Sequence, residues 1–248
     1  MITTAPPLAA AEYITGLRFR FLQPDQPTNG IDWKTDINEL LDQELDNIEL
    51  VCDNVAMKQR LRPLGLIPRM GTYANAAIIN YGVSQLPPDQ CYLNVGTWNG
   101  FSFFAGMVEN PDTLCIGVDN FTQTGRGNPK DAFLDRFNAL KSPQHQFVES
   151  DYAAYLKTQH TAPIGFYFYD AAHEYHHQLQ GLKLAEPFFV DGCIIMIDDT
   201  NWDAPRQATL DFVERSTYSY RTLLDQRTYE DGGHPTFWNG IMILQRTS

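Results

Sequence analysis

Short apolar runs alternate with helical stretches from residue 91 to the end of the chain, and this alternation constrains the fold more than any other feature. Strands separated by helices form parallel sheets that are covered on both faces. The last two runs lie close together in sequence and are expected to close the sheet as an antiparallel pair. The chain is therefore predicted to form a doubly wound α/β sheet of seven strands, mostly parallel, with an antiparallel closing strand. The runs place these strands at 91–95, 113–118, 146–148, 164–169, 193–197, 220–226 and 240–245.

The segment before this alternation has a different character. Residues 1–30 are rich in Pro, Ala and Gln and end in the Thr28-Asn29-Gly30 turn. They predict an arm with little regular structure that packs on a neighbouring subunit. Apolar residues at nearly helical spacing predict an amphipathic helix from Asp36 to about Arg62, either continuous or broken once. A second helix is expected from about Tyr73 to Val83.

These features divide the chain into an N-terminal arm with a helical extension, residues 1–70, and one ligand-binding domain, residues 71–248. The arm and the first helix also predict a homodimer or a larger homo-oligomer.

The charge balance narrows the range of partners. The chain has 18 Lys+Arg against 30 Asp+Glu, a formal charge of -12, which is the wrong sign for gripping a phosphate backbone. We therefore expect a small neutral or cationic ligand, or a metal ion, and no nucleic acid.

Cysteine usage and the N-terminus predict the compartment. Four cysteines stand among apolar residues and are expected to be buried thiols in a reducing compartment: Cys52, Cys91, Cys115 and Cys193. The segment Met1 to Tyr13 lacks the pattern of a signal peptide, and the sequence lacks an apolar run of roughly 18 residues. A cytoplasmic protein without a membrane partner is expected.

A glycine turn follows the first strand of the sheet. Residues 91–95 run into Gly96-Thr97-Trp98-Asn99-Gly100-Phe101-Ser102, and a helix is predicted from Phe103 to Val108. Such a turn lets a ligand approach the backbone closely and directs N–H groups at it. The G-x-x-x-G spacing differs from the dinucleotide fingerprint and disfavours a dinucleotide-dependent dehydrogenase. A plain tight turn is the alternative reading.

The next two strands also end in polar residues. Asp119 ends the second strand, where a carboxylate can accept both ribose hydroxyls of an adenosine, and Asn120 follows it. Ser150 and Asp151 follow the third strand and offer polar groups to an adenine amino group. A solvated Asp at the start of a loop is the alternative for Asp119. Together with the glycine turn, these residues predict a nucleoside site at the carboxyl ends of the strands.

Carboxylates end the fourth and fifth strands. Asp170 follows residues 164–169, and Asp198 and Asp199 follow residues 193–197. Because adjacent strands lie about 5 Å apart, the three carboxylates are expected to converge, and they would repel one another unless a cation or a proton intervened. Oxygen ligands of this kind suit Mg²⁺ best, with Mn²⁺ as the second choice.

A histidine accompanies this cluster. His173 comes three residues after Asp170 and is expected to face the same pocket, where it would remove a proton from a substrate hydroxyl. His176 and His177 are expected to be surface or packing residues. The alternative is that Asp170 and Asp199 only cap the helices that follow them.

At this point the chain resembles the class I S-adenosylmethionine-dependent O-methyltransferases of the metal-dependent kind, over roughly Leu86 to Leu244. The run from Leu93 to Ser102 is similar to their first cofactor motif, although Asn94 stands where an acidic residue is usual. The Asp198-Asp199 pair and His173 are more similar to the macrocin type and the cephalosporin-hydroxylase-like group. In the caffeoyl-CoA type, a lysine and an asparagine are usual at positions 173 and 199.

The resemblance implies a Rossmann-like methyltransferase that transfers a methyl group from S-adenosylmethionine to a small hydroxylated acceptor. His173 and Asp170 would be catalytic, and Asp170, Asp198 and Asp199 would bind Mg²⁺ or Mn²⁺. The implied cofactor contacts are Asn94, Gly96, Thr97, Gly100, Ser102, Asp119, Asn120, Ser150, Asp151 and Asp170.

Two further expectations concern the acceptor. The loop Phe121 to Pro129 is expected to act as a mobile lid, and Trp202, Tyr175 and Trp238 either form an acceptor wall or pack in the core. Two other readings stay open: a hydroxylase-like or metal-independent relative, and an inactive nucleoside-binding or scaffold protein. Failure to bind metal would favour the first, and cofactor affinity without turnover would favour the second.

Overall fold

The computed structural model describes residues 9–28, 37–50, 54–122 and 129–247. The N-terminal part is mainly helical, with one two-stranded antiparallel ribbon, β1–β2. Its elements are α1 (Ala10–Gly16), β1 (Arg18–Phe19), α2 (Ile37–Asn47), β2 (Ile48–Glu49), α3 (Asn54–Leu61), a 3₁₀ helix (Arg62–Leu66) and α4 (Tyr73–Ser84).

The remainder alternates strands and helices, as the sequence predicts. Its elements are β3 (Cys91–Val95), α5 (Phe101–Met107), β4 (Leu114–Asp119), α6 (Lys130–Leu140), β5 (His145–Glu149), α7 (Tyr152–Thr158), β6 (Ile164–Tyr169), α8 (Tyr175–Ala185), a 3₁₀ helix (Glu186–Phe188), β7 (Phe189–Asp198), α9 (Asp203–Arg215), β8 (Tyr220–Gln226) and β9 (Ile241–Arg246).

These strands form one seven-stranded sheet in the order β5-β4-β3-β6-β7-β9-β8. The pairs among β3 to β7 are parallel, and β9 is antiparallel to both of its neighbours. The predicted doubly wound α/β sheet with an antiparallel closing strand is confirmed. The strand order reverses between β3 and β6, which is where open α/β sheets bind their ligands.

Alternation along the central strands covers both faces of the sheet. In β6, Phe166 and Phe168 belong to one core cluster and Tyr167 and Tyr169 to the other. The first core packs against α4, α5 and α6 together with the N-terminal helices, and the second packs against α7, α8 and α9. Apolar side chains on both faces explain why this strand is a continuous apolar run in the sequence.

The N-terminal arm differs from its prediction. Residues 10–16 form α1, and Tyr13 stacks on Tyr81 of α4 with 3.9 Å between ring centroids. Asn47 fixes the segment after β1, because its side chain accepts hydrogen bonds from the backbone amides of Phe21 and Leu22. Residues 10–16 are therefore helical, and the expectation of little regular structure is wrong for them. The described part of the arm packs on its own chain, and its packing on a neighbouring subunit stays a prediction.

The other helices agree with the sequence apart from their ends. The helix expected from Asp36 to Arg62 is interrupted by β2, and the helix α4 is confirmed with one residue more than expected. Helix α5 begins two residues earlier than predicted because Gly100 adopts a left-handed conformation directly before it. The N-terminal helices share a core cluster with α4 to α6, and the division of the chain at residue 70 stays a prediction.

Two smaller expectations can be compared with the structure. Cys91, Cys115 and Cys193 are buried free thiols, as predicted, and Cys52 lies outside the described residues. In the described ranges, we find no helix with both the length and the apolar character needed to cross a bilayer.

Candidate functional site

The glycine turn after β3 packs directly against the end of β6. Gly96 has a φ of 86°, and a Cβ atom built on it would lie 1.8 Å from the carbonyl oxygen of Asp170. Any side chain at this position would push the two strand ends apart. Gly96 is thus needed for the close approach of the turn to Asp170, whether or not a ligand binds there.

Asp119 closes the same turn from the neighbouring strand. Its Oδ2 atom accepts hydrogen bonds from the backbone amides of Thr97, at 2.7 Å, and Trp98, at 2.8 Å. Its Oδ1 atom accepts one from the amide of Phe121 at 2.8 Å. A carboxylate has about four lone-pair sites, so Oδ1 retains capacity for a ribose hydroxyl. Asp119 is built into the turn and is not a solvated loop residue.

The residues that follow β5 lie at the carboxyl end of the outermost parallel strand, next to β4. Asp151 caps α7, because its Oδ1 atom accepts the amide N–H of Ala154 at 2.9 Å. The amide of Ser150 donates to the carbonyl of Asp119, which links the second and third strand ends. Asn120 is exposed and accepts hydrogen bonds from Thr122. All three residues line the cavity described below.

Asn94 and Gly100 are packed inside the protein next to the glycine turn. Asn94 is 0% exposed, and its Nδ2 atom is 3.2 Å from both the hydroxyl of Tyr92 and Oγ of Ser102. Gly100 packs on the ring of Phe104, which a Cβ atom would approach to 2.2 Å. Within the described part of the chain, Asn94 and Gly100 are absent from the cavity lining, whereas Ser102 is present.

The predicted carboxylate cluster forms, with a different third member. One ligand atom each of Asp170, His173 and Asp199 lie within 4.8 Å of one another. His173 Nε2 is 3.0 Å from Asp199 Oδ2, and the side-chain amide of Asn239 donates to Asp199 Oδ1 at 2.8 Å. A φ of 57° at Asp199 turns its side chain out of the strand direction toward the histidine. The structure therefore unites His173 with two of the three expected metal ligands.

Asp198 borders the same cavity from a more buried position. It is 4% exposed, and its Oδ1 atom has no hydrogen-bond partner in the described ranges. Burial, followed by repulsion from Asp170 and Asp199, raises the pKa of Asp198 well above its usual range. Burial, followed by repulsion from Asp199 and Asp119, raises the pKa of Asp170 in the same way.

The capping alternative does not describe these residues. Glu174 occupies the N-cap position of α8 and Trp202 that of α9, and neither side chain makes a capping hydrogen bond. Asp170 and Asp199 precede these positions by several residues, and one ligand atom of each lies within 4.8 Å of the other. Their spacing before helices is therefore not explained by helix capping.

One large cavity connects these groups. It has a volume of about 1010 Å³ and extends from the strand ends of β4 and β5 across the glycine turn to the carboxylate cluster. Drug-sized ligands occupy pockets of ~300–1,000 Å³. Six aspartates line it, and Arg69 is the one Arg or Lys residue of the described chain that does so. This cavity is large enough for a nucleoside cofactor and a small second ligand, and its electrostatic character is acidic.

The aromatic residues considered for an acceptor wall divide into two groups. Trp202 and Trp238 line the cavity, and the Trp202 ring lies edge-on to His173 at 5.4 Å. Tyr175 instead donates a hydrogen bond to Asp211 of α9 at 2.6 Å. His177, expected to be a surface or packing residue, lines the cavity and contacts the hydroxyl of Tyr152 at 3.2 Å. The lid predicted at Phe121 to Pro129 lies largely outside the described residues.

Sequence reasoning missed residues on both flanks of the cavity. Arg69, Gly71 and Asn75 border it from the segment before β3, and residues 231–233 border it from the loop between β8 and β9. Asn201 holds this loop, because its side-chain amide donates to the carbonyls of residues 228 and 230. These residues are distant in sequence from the carboxyl ends of the parallel strands. The Gly232-Gly233 pair is a turn signal in the sequence, and Gly232, Gly233 and Trp238 have left-handed φ values of 79°, 91° and 48°.

Comparison with known proteins agrees with this architecture. Residues 93–200, from the first sheet strand to the carboxylate pair, match a family described as a methyltransferase domain. The fold is that of a class I methyltransferase. No curated protein matches the chain significantly in sequence.

Solved structures share this methyltransferase fold at low sequence identity. Cofactor-bound Rv0187 from MTB is 13% identical with a TM-score of 0.57, covering 91% of this chain and 98% of its own. CalS11, a TDP-rhamnose 3'-O-methyltransferase of calicheamicin biosynthesis, is 16% identical with a TM-score of 0.51, covering 91% and 96%. SMU.1697c from Streptococcus mutans, solved with SAH, is 12% identical with a TM-score of 0.51, covering 68% and 94%.

Proposed function

We propose that this protein is an S-adenosylmethionine-dependent O-methyltransferase that methylates a small hydroxylated acceptor with the assistance of a divalent metal ion. The observation that supports this most strongly is the single cavity that joins the glycine turn and Asp119 to the cluster of Asp170, His173 and Asp199. A sulfonium cofactor is a cation, and the acidic lining of this cavity suits it electrostatically. The cofactor-bound and SAH-bound structures of the same fold add support.

The donor set fits a hard divalent cation. Asp170 and Asp199 supply carboxylate oxygens near one point. Asp198 adds a buried Oδ1 atom that has no hydrogen-bond partner among the described residues. Burial and mutual repulsion raise the pKa values of Asp170 and Asp198, and a bound cation would offset that repulsion. We propose Asp170, Asp198 and Asp199 as the residues that would hold Mg²⁺ or Mn²⁺. The ion would lower the pKa of an acceptor hydroxyl and orient it.

His173 is proposed as the general base. When its Nε2–H group donates to Asp199, the ring is held in one orientation and Nδ1 keeps the lone pair that takes the proton. In the described structure, Nδ1 has no hydrogen-bond partner. The sulfonium methyl group would be transferred in line to the acceptor oxygen, with S-adenosylhomocysteine as the second product.

The compact cluster also favours a second role for His173, that of a metal ligand. Its ligand atom lies within the same 4.8 Å as those of Asp170 and Asp199. Substitution by Gln separates the two roles, because loss of a base affects turnover and loss of a ligand affects metal affinity.

The proposal is tested with Mn²⁺ binding, followed by electron paramagnetic resonance, and with release of S-adenosylhomocysteine across a panel of hydroxylated acceptors. We expect one bound Mn²⁺ per chain, its loss in Asp170→Asn, and no change in Asp203→Asn, whose carboxylate is exposed on α9. For a base, His173→Gln keeps Mn²⁺ binding and lowers kcat by about 10²- to 10⁴-fold. Turnover that is unaffected by EDTA would refute metal assistance, and absence of turnover on any acceptor would favour the inactive relative.

A further inference from the structure

At the N-terminal flank of the cavity lies a buried guanidinium whose hydrogen-bond donors are only partly satisfied by the described residues. The side chain of Arg69 is 1% exposed and lines the cavity. Its Nε atom donates to the carbonyl of Gly65 at 3.1 Å, and its Nη1 atom donates to Glu44 Oε1 at 2.9 Å and to the carbonyl of Gly71. Its Nη2 atom has no hydrogen-bond partner among the residues that the structure describes. Two N–H donors therefore remain at this wall for a group that arrives from the cavity.

Glu44 holds this guanidinium in place. Its side chain is 1% exposed, and its second oxygen accepts the backbone amide of Tyr73, the first residue of α4, at 2.8 Å. A buried ion pair with both partners bonded in this way fixes the orientation of the arginine. Through Glu44, α2 of the N-terminal extension determines where the Nη2 atom of Arg69 lies.

The position of Arg69 indicates which part of a ligand it meets. Its guanidinium lies 5.3 Å from the ring centre of Phe101, the first residue of α5, directly behind the glycine turn. Asp119, the ribose-binding candidate, is at the other end of that turn. The amino-acid portion of an adenosyl cofactor would extend in the direction of Arg69.

The charge pattern of the cavity identifies the ligand group. Every other charged side chain in its described lining that is not a histidine is an aspartate, so an anion has one favourable place to bind. Glu44 already pairs with Arg69, and a paired guanidinium suits a singly charged carboxylate better than a phosphate. A carboxylate oxygen would accept the unused N–H groups in a site shielded from bulk water.

We propose that Arg69 is a specificity-determining residue that recognises the carboxylate of the amino-acid portion of the cofactor, and that Glu44 is its positioning residue. This inference rests on the proposed function. It gives the N-terminal extension a direct part in ligand selection, since Glu44, Gly65 and Arg69 all lie within residues 1–70.

The test compares two ligands that differ only in this carboxylate. Calorimetry measures the dissociation constants of S-adenosylhomocysteine and of its decarboxylated analogue, which keeps the adenosine, the thioether and the amine. We expect the wild-type protein to prefer S-adenosylhomocysteine by about 10- to 100-fold, the range for one charge-assisted hydrogen-bonded contact. In Arg69→Met the preference should fall below about threefold, mainly through weaker binding of S-adenosylhomocysteine.

Controls separate recognition from folding. Arg62→Met removes a guanidinium from the same segment, where its pair with Asp42 is half exposed, and should keep the full preference. Arg69→Lys keeps the charge but not the planar donor geometry, and should show an intermediate preference. It provides the test if Arg69→Met fails to fold. Glu44→Gln should reduce the preference without abolishing binding of the decarboxylated analogue.

The outcomes distinguish this inference from the proposed function. Equal affinity of the wild-type protein for both ligands would overturn the role of Arg69 and leave the methyltransferase proposal intact, as would a preference that survives in both Arg69 variants. Binding of neither ligand by the wild-type protein would instead overturn the proposed function.

Discussion

Removing one carboxylate from the cluster of Asp170, His173 and Asp199 should stabilise the protein in the absence of metal ions. In Asp170→Asn, the repulsion between residues 170 and 199 disappears, as does the cost of burying the charge of residue 170. Ligand atoms of Asp170 and Asp199 lie within 4.8 Å of each other. At an effective dielectric constant of 20, two charges at this separation repel by about 3.5 kcal/mol.

Solvent in the open cavity screens part of this repulsion, so we expect a gain of about 2 kcal/mol in the free energy of unfolding. For a chain of this size, that gain corresponds to a rise in Tm of about 4–8 °C. The assay is thermal unfolding in EDTA at pH 8, with Asp203→Asn as the charge-matched control on an exposed site, which should leave Tm nearly unchanged.

The gain should depend on pH with a defined sign. Burial and the repulsion of Asp199 raise the pKa of Asp170 well above its usual range in the folded protein. The folded state therefore holds this proton at pH values where the unfolded state has lost it, and stability decreases as the pH rises above about 3.8 until the folded pKa is passed. The difference between variant and wild type should be small at pH 5 and larger at pH 8.

Added Mg²⁺ should make the wild-type protein more stable than Asp170→Asn. If Mg²⁺ binds only the native state, as proposed, it should raise the Tm of the wild-type protein, whereas the variant lacks one proposed ligand and should respond weakly. A variant that is less stable than wild type at pH 8 in EDTA, or one that gains as much from Mg²⁺ as wild type does, would refute this reasoning.

Three other substitutions test the architecture of the site. Gly96→Ala combines a left-handed φ with a clash against the carbonyl of Asp170 and should destabilise the fold by about 3 kcal/mol or more in urea unfolding; a loss under about 1 kcal/mol would show that the turn can move. Asn47→Ala leaves the buried amide of Leu22 and its neighbour unsatisfied and should cost about 2–3 kcal/mol, with faster proteolysis of residues 9–28; unchanged proteolysis would contradict its anchoring role. Asn94→Asp introduces a sealed charge and should lower Tm without strengthening binding of S-adenosylhomocysteine, whereas tighter binding in calorimetry would show that this side chain reaches the ligand.

The sheet is predictable from sequence because its signal is local. Strands β3, β6 and β8 begin and end at the predicted residues. In β3 and β6 every residue is buried, so an uninterrupted apolar run marks the strand directly, whereas β8 at the sheet edge is partly exposed. Helix α1 was missed because it is short, and its stability depends on the contact of Tyr13 with Tyr81, which are far apart in sequence.

The site could be predicted in outline but not in detail. The strand ends place Asp170 and Asp199 together, as their positions after parallel strands imply. Asp198 is the last residue of β7 and is buried, whereas Asp199 has a left-handed φ directly after the strand. The sequence does not show this left-handed residue or the inclusion of His173 in the compact cluster. The place of Arg69 in the cavity wall could not be found from sequence, because it depends on a tertiary contact with Glu44.

Calorimetric titration with S-adenosylhomocysteine, run once with Mg²⁺ and once with EDTA, tests the central claim most directly. We expect micromolar binding of one ligand per chain in both runs, because the glycine turn, Asp119 and Arg69 are in place without a metal ion. Absence of binding in both runs would contradict the assignment of this cavity to an adenosyl cofactor.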